Sequence, residues 1–255
     1  MPLIGLIGYP LGHSFSPGYF KAKFAALGLN DWDYQLFPIP SLTHLPELIE
    51  KQLDLVALNV TIPYKTAVLP FCHSLSEAVE VIGASNLLII DRNEQDIQLH
   101  AHNTDVEGFK TSLQKNLNQT ERNALIFGTG GAAKAAEYVL NELHIPHTTI
   151  GRNTLPNYDT IDIKSYNLFI NCTPVGMYHS EKDYMHEKLP VKYEEISAGS
   201  LFFDMVYNPT ETAMMKAFKS QNATAVNGLE MLHLQADAAW DIIQKFLANN
   251  MDNAM

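Results

Sequence analysis

The segment from Asn123 to Leu140 constrains the fold more than any other. An apolar run, Asn123-Ala-Leu-Ile-Phe127, enters the glycine turn Gly128-Thr129-Gly130-Gly131-Ala132-Ala133, and a helix-forming run, Lys134-Ala-Ala-Glu-Tyr-Val-Leu140, leaves it. Strand, glycine turn and helix in that order are what a dinucleotide-binding βαβ unit requires. The first glycine permits the tight turn, the second lets the backbone approach a pyrophosphate, and the small Ala133 permits close packing of helix on strand. The helix start then offers unpaired N–H groups to the phosphates. A turn with a purely structural role is the competing reading of the same residues.

Elsewhere short apolar runs alternate with helix-like stretches. Leu3–Ile7, Tyr34–Phe37, Leu55–Val60 and Leu87–Ile90 read as strands. Pro17–Leu27 reads as a helix capped by Ser16, and Leu42–Gln52 as another. From Thr104 the pattern restarts, with a helix near Val106–Leu117, strand 123–127, helix 132–143 and strand Thr148–Ile150. Strands at Leu168–Asn171 and Leu201–Met205 follow, then a long amphipathic helix from Leu229 to Leu247. The stretch from Ser180 to Ser200 is charged and weakly periodic. Alternating strands and helices imply an α/β fold. A length of 255 residues suits one large domain or two modest ones, and two α/β units suggest a cleft. Ligands of such sheets sit beyond the carboxyl ends of the strands, so the residues that follow each strand are the candidates.

After the first strand, Ser14 and Ser16 present two hydroxyls suited to a small polar ligand, although Ser-Pro is also a common helix start. Thr61-Ile-Pro-Tyr-Lys65 follows the strand at 55–60. Its lysine is either a solvated surface residue or a group that holds a carboxylate or moves a proton. Gly83-Ala-Ser-Asn86 precedes another apolar run, and Asn86 can both donate to and accept from a hydroxyl. In His102-Asn-Thr-Asp105-Val-Glu107, Thr104 and Glu107 fit a capping box. Asp105 then sits in the first helical turn, where a carboxylate is favoured on local grounds and could also orient a lysine. After Thr148–Ile150, Gly151-Arg152-Asn-Thr offers a cation where an NAD site usually places an acid, which favours NADP.

A net charge of −11 argues against nucleic acid or an anionic membrane surface as partner. Cys72 and Cys172 are far apart, which predicts reduced thiols in a cytoplasmic protein. The apolar start is too short and lacks the basic flank of a signal peptide, and no run is long enough to span a membrane. The histidines, His100 and His102 among them, complete no ligand set, so no metal is expected.

Taken together the segments resemble the shikimate dehydrogenase family almost end to end. They are Gly8–Pro17, Asn59–Lys65, Gly83–Asn86, Asn103–Gly108, Gly128–Ala133, Asn171–Met177, Asp204–Pro209 and Asn227–Leu232 with Gln235. The resemblance implies two domains: an N-terminal α/β substrate domain with a mainly parallel sheet, residues 1–104 and 229–255, and a Rossmann-like NADP domain, residues 105–228. It implies that Ser14, Ser16, Thr61, Lys65, Asn86, Asp105, Tyr207 and Gln235 bind shikimate or 3-dehydroshikimate, with Lys65 and Asp105 the catalytic pair. It implies that Glu77, Gly128, Thr129, Gly130, Gly131, Ala132, Arg152, Met205 and Gly228 bind NADP(H), in a monomer or homodimer. The chain departs from the family in two places. Ser85 and Leu87 flank Asn86 where the family has Val and Thr. Gly151 precedes Arg152 in place of Asn, and no second basic residue follows. An NAD-using quinate/shikimate dehydrogenase and a ligand-binding protein without turnover are the alternatives.

Overall fold

A computed structural model of the chain describes residues 1–11, 14–92, 96–118, 123–178 and 184–253, with side chains to 250. The Gly12-His13 step of the first motif and residues 180–183 of the weakly periodic stretch lie outside the described residues. The contacts divide the chain into two units, Met1–Thr104 with Ala236–Met255, and Asp105–Gln235.

The first unit is built on a six-stranded sheet. Its elements in chain order are β1 (Leu3–Gly8), α1 (Ser16–Ala26), β2 (Asp33–Pro38), α2 (Leu45–Lys51), β3 (Leu55–Val60), β4 (Ser74–Leu75), α3 (Glu77–Ile82), β5 (Leu87–Arg92) and β6 (Ile97–His102). The strands lie in the order β2-β1-β3-β5-β6-β4. β1 pairs in parallel with β2 and β3, β4 in parallel with β6, and β5 runs antiparallel to both β3 and β6. β1 (LIGLIG) is buried along its whole length, as an unbroken apolar run between two covered faces must be. One face packs an aromatic group: Phe20 stacks on Tyr34 with centroids 4.7 Å apart, and Trp32 meets Trp240 edge-on at 4.9 Å. Each such buried ring contributes about 1.5–3 kcal/mol.

Several local expectations shift. α1 begins at Ser16, so Phe15 and not Ser16 holds the cap position. The Ser14 hydroxyl accepts from Ser16 N (3.3 Å) instead. Leu42–Gln52 divides into a 3₁₀ turn, capped by Ser41, and the short α2. α3 and β4 are new, and the strand-like segment that bears His100 and His102 is β6. The segments of α3 and β4 are too short for the periodicity to show, and β6 alternates buried Leu99 and Ala101 with half-exposed His100 and His102.

The second unit carries α4 (Asp105–Asn116), β7 (Ala124–Phe127), α5 (Gly131–Glu142), β8 (His147–Ile150), β9 (Leu168–Asn171), β10 (Leu201–Asp204), α6 (Ala213–Lys219), β11 (Thr224–Asn227) and the start of α7 (Leu229–Asn253). All pairings are parallel, in the order β11-β10-β9-β7-β8. β7 and β9 are fully buried, and α5 lies close on its alanines, Ala133, Ala135 and Ala136. α6 and β11 were not anticipated from the sequence. The return to the first unit was expected at 229, but contacts keep α7 with the second unit as far as Gln235. The reason is steric and electrostatic. A Cβ at Gly108 would stand 2.7 Å from Met231 O and 2.9 Å from Gln235 N, so α4 and α7 touch there. Glu230 accepts from Ser112 and Lys115 of α4.

In each sheet the first strand is the one flanked on both sides by its successors, β1 by β2 and β3, and β7 by β8 and β9. That is the topological switch point, where a crevice opens beyond the strand ends. The segment after β1 carries Ser14 and Ser16, and the segment after β7 carries the glycine turn.

Candidate active site

In the first unit the ends of β1, β3, β5 and β6 are laced together by backbone bonds. Thr61 N donates to Ile7 O (3.0 Å), Tyr64 N to Thr61 O (2.9 Å), and Ser85 N to Lys65 O (2.8 Å). The Tyr64 phenol donates to Ile39 O (2.7 Å). The turn that presents Thr61 and Lys65 is thus held at three points, and both side chains are half-buried. Ser85 is wholly buried. Its hydroxyl lies within 3.0 Å of Leu87 O and 2.9 Å of His102 O. The departure from the family's valine therefore adds a polar stitch under Lys65.

Asn86 is 3% exposed. Its Nδ2 donates to Thr104 Oγ1 (3.0 Å) and its Oδ1 accepts from Thr104 N (2.7 Å). The Thr104 hydroxyl of the expected capping box is engaged here, and Glu107 accepts from Thr111. Asn86 is therefore first of all the anchor of the residue that precedes Asp105. The Tyr34 phenol donates to Asn59 Oδ1 (2.9 Å), and the neighbouring Ser16 hydroxyl favours its ionised form slightly. Burial pushes the Tyr34 phenol well above its ordinary range, so it stays a neutral donor. Glu77 is exposed at the first residue of α3 and belongs to this first unit, apart in sequence and in fold from the other expected cofactor residues.

In the second unit Asp105 opens α4, where the helix dipole favours its charge. Gln235 packs one turn further on, against Gly108, and its amide donates to Leu232 O (3.0 Å). Asp105 and Gln235 thus come from neighbouring helices.

The glycine turn follows β7 as expected. Gly128 has φ +110°, and a Cβ there would stand 3.2 Å from Cys172 O, so both conformation and space require glycine. Gly130 is different. Its φ is −85° and an added Cβ would meet no atom of the protein within 4 Å. The chain itself gives no reason for a bare backbone there, while a ligand lying on the turn would. Thr129, Gly130, Gly131 and Ala132 are all exposed around the start of α5. The residues present therefore fit a bound pyrophosphate.

Beyond β8, Arg152 is exposed. Gly151 N donates to Thr154 Oγ1 (2.9 Å). A Cβ at Gly151 would come 3.0 Å from Thr129 Cγ2, so the missing side chain lets this turn lie against the glycine turn. Burial pushes the Tyr158 phenol up, and the Arg152 charge pulls it part of the way back.

The ends of β9 and β10 carry a network that sequence reading left without roles. Asn171 Oδ1 accepts from Thr173 N (3.0 Å) and Thr173 Oγ1 (2.7 Å), and its Nδ2 donates to Asp204 Oδ1 (2.9 Å). Asp204 also accepts from Val206 N (3.1 Å) and Thr212 Oγ1 (2.7 Å). Burial raises the Asp204 carboxyl to about 6, and these three donors hold it from going higher. The available signal was the pair of polar residues closing otherwise apolar strands, Leu-Phe-Ile-Asn171 and Leu-Phe-Phe-Asp204. Asp204 fixes the loop that bears Met205 and Tyr207. Gly228 N donates to Val206 O (3.1 Å), and a Cβ on Gly228 would come 2.3 Å from Met205 O. Gly228 thus has a packing reason of its own. Tyr207 is 37% exposed at the rim of this loop.

Among the described residues no group of three or more His, Cys, Asp and Glu could hold a metal ion, and no helix is long and apolar enough to cross a membrane.

Residues 6–88 match the family model described as "Shikimate dehydrogenase substrate binding domain". A protein of Methanosphaera stadtmanae named shikimate dehydrogenase (NADP(+)) is 33% identical over 94% of this chain and 90% of its own. One of the same name from Clostridium beijerinckii is 33% identical over 98% and 94%. Among solved structures, a shikimate dehydrogenase in complex with NADP+ is 30% identical with a TM-score of 0.80, covering 95% of this chain and 90% of that one. The Listeria monocytogenes shikimate 5-dehydrogenase in complex with shikimate and NAD is 26% identical with a TM-score of 0.77, covering 97% and 96%.

Proposed function

The chain belongs to the shikimate dehydrogenase family, and from that premise we propose how its own residues carry the family's reaction. It is an oxidoreductase that interconverts 3-dehydroshikimate and shikimate, in the pathway to the aromatic amino acids, with NADP(H). The first unit binds the substrate and the second binds the dinucleotide. The chemistry NADP(H) supplies when bound is hydride exchange at C3. Gly128, Thr129, Gly130, Gly131 and Ala132 would hold its pyrophosphate, Arg152 would hold its 2′-phosphate, and Met205 and Gly228 would serve the nicotinamide end. Glu77 is the outlying member of that set.

Ser14 and Ser16 hold the polar ring substituents of the substrate, with Thr61, Asn86, Tyr207 and Gln235. Lys65, as ammonium, gives a proton to the oxygen at C3 as its charge develops, and takes it back in the oxidation. Asp105 accepts a hydrogen bond from the substrate hydroxyl next to C3 and so fixes the geometry. The observation that carries this reading is the fastening of the Thr61–Lys65 turn, because general acid catalysis needs its acid held in place. Lys65→Ala should lower turnover by about 10²–10⁴, the range of a positioned general acid, with NADP+ affinity unchanged by fluorescence titration. Undiminished turnover would remove Lys65 from the mechanism.

A second reading keeps the fold and widens the cofactor. With Gly151 and a single arginine the 2′-phosphate has one cation, so use of NAD alongside NADP is expected to be measurable. Steady-state rates with shikimate and quinate, each with NADP+ and NAD+, separate the two. A monomer or homodimer in the cytoplasm is the setting we propose.

A further inference from the structure

One polar cluster beside the substrate residues is unused by this mechanism. Asp237 of α7 accepts two hydrogen bonds on one carboxylate oxygen. One comes from the Tyr19 phenol (2.6 Å) and the other from Lys23 Nζ (2.5 Å). Tyr19 and Lys23 are four residues apart on α1, so they share one face of that helix. All three groups belong to the first unit. The Lys23 side chain is 21% exposed and Asp237 43%. Burial and Asp237 together push the Tyr19 phenol far above its usual range, so it remains a neutral donor.

Apolar packing also joins α1 and α7: Phe24 and Trp240 lie 5.5 Å apart, with Trp32 beside them and Ala236, Ala239 and Ile243 in the same cluster. Apolar packing is favourable over a range of axial positions, whereas two hydrogen bonds converging on one oxygen are satisfied at one position only. Tyr19 lies in the first turn of α1, its N bonded to Phe15 O (3.3 Å). It also packs its ring on Phe15, which separates Ser14 from Ser16. Fixing the Tyr19 phenol therefore fixes the turn that carries both serine hydroxyls.

We infer that Asp237 is a positioning residue for substrate: through Tyr19 and Lys23 it sets α1 against α7 and so places the Ser14 and Ser16 hydroxyls. The inference rests on the reading that those serines hold shikimate. Asp237 is not among the residues assigned to the substrate, so its loss is expected to act on substrate binding through α1 and to spare both the proton donor and the dinucleotide.

The test uses the full chain. Asp237→Ala should raise the KM for shikimate roughly tenfold, the size of a lost charge-assisted hydrogen bond. The turnover number should change by less than about twofold and NADP+ affinity not at all. Tyr19→Phe, a milder change that keeps the ring packing, should raise KM by a smaller factor. The Tyr19→Phe/Asp237→Ala double variant should do no worse than Asp237→Ala alone, since both act through one contact. Asp237→Glu should recover part of the loss. An unchanged shikimate KM in Asp237→Ala and Tyr19→Phe, with only the melting temperature lowered, overturns the inference. So do fully additive effects in the double variant. Amide hydrogen exchange without any ligand separates this inference from the function it rests on. Faster exchange in the first turn of α1 in Asp237→Ala supports the clamp even if the wild type proves inactive on shikimate. Unchanged exchange there refutes the clamp even in an active enzyme.

Discussion

The two units use the same corner and finish it differently. In each, a buried asparagine at a strand end accepts from the N and Oγ1 of a nearby threonine: Asn86 from Thr104 in the first unit, Asn171 from Thr173 in the second. The amide nitrogens go to different places. Asn86 returns its N–H to the Thr104 hydroxyl, a neutral pair. Asn171 gives its N–H to Asp204, a carboxylate with no exposed surface that gathers two further donors. A neutral pair anchors one segment, the one that leads to Asp105. A buried acid ties three segments at once, the turns after β9 and β10 and the start of α6. Its cost is desolvation, visible as the raised carboxyl, and it brings a dependence on pH that the neutral corner lacks.

Removing the centre of each corner is the strongest way to break the comparison. Asp204→Ala leaves Asn171 Nδ2 only its longer bond to Val175 O (3.3 Å) and strands Val206 N and the Thr212 hydroxyl in a dry interior, and should cost about 3–5 kcal/mol. Asn86→Ala removes the partner of the Thr104 N–H and hydroxyl, and should cost about 2–3 kcal/mol. Urea unfolding of the two variants checks the order. Equal losses would mean that the charge gives the second corner no added weight.

These corners also show how far the sequence could be read. The glycine turn, the restart at Thr104 and the order of the motifs were legible, because apolar periodicity and glycine punctuation are local signals. Lys65, Asp105 and Arg152 were legible as charged residues placed just after strands, where β3, β6 and β8 end. The partners of Asn86 and Asp204 were not. Each bond joins residues that adjoin only after the sheet has formed, 18 positions apart for Thr104 and 33 for Asn171. The β5–β6 pairing was missed for a related reason. β6 reads as polar because half its side chains are histidine and glutamine, and its strand character comes from antiparallel pairing with β5. The weak periodicity of α3 and α6 reflects their length of six and seven residues.

The acid makes the second corner testable by pH with a smaller effect. The Asp204 carboxyl titrates near 6 when folded and near its ordinary value of about 4 when unfolded. Between those values the folded protein binds the extra proton, so this group's contribution is complete below about 4 and is lost as pH rises through 6. Asp204→Asn keeps an acceptor for Asn171 and Val206 but cannot titrate. Its stability relative to wild type should therefore be lowest near pH 4 and recover by about pH 7. A constant difference across that range would show that Asp204 does not change its charge there. The corresponding Asn86→Asp change places a new carboxylate in the neutral corner and should introduce the same slope where none exists.

A third strand end, that of β8, has neither kind of corner, and it should respond least. There the Gly151 N–H is satisfied by Thr154 Oγ1 within a four-residue turn, and the Arg152 side chain lies in solvent. Nothing buried depends on Arg152, so Arg152→Ala should leave the urea midpoint unmoved. On the proposed assignment to the 2′-phosphate, its effect belongs to the cofactor alone. A single exposed cation facing a phosphate is worth about 1–2 kcal/mol after screening by salt, so the KM for NADP+ should rise roughly tenfold and that for NAD+ should stay where it is. The rise should shrink at high salt. A parallel rise for NADP+ and NAD+ would mean that Arg152 acts on the shape of the turn and not on the 2′-phosphate. The preference for NADP would then have to come from Thr129, Thr154 or Tyr158 around the same turn.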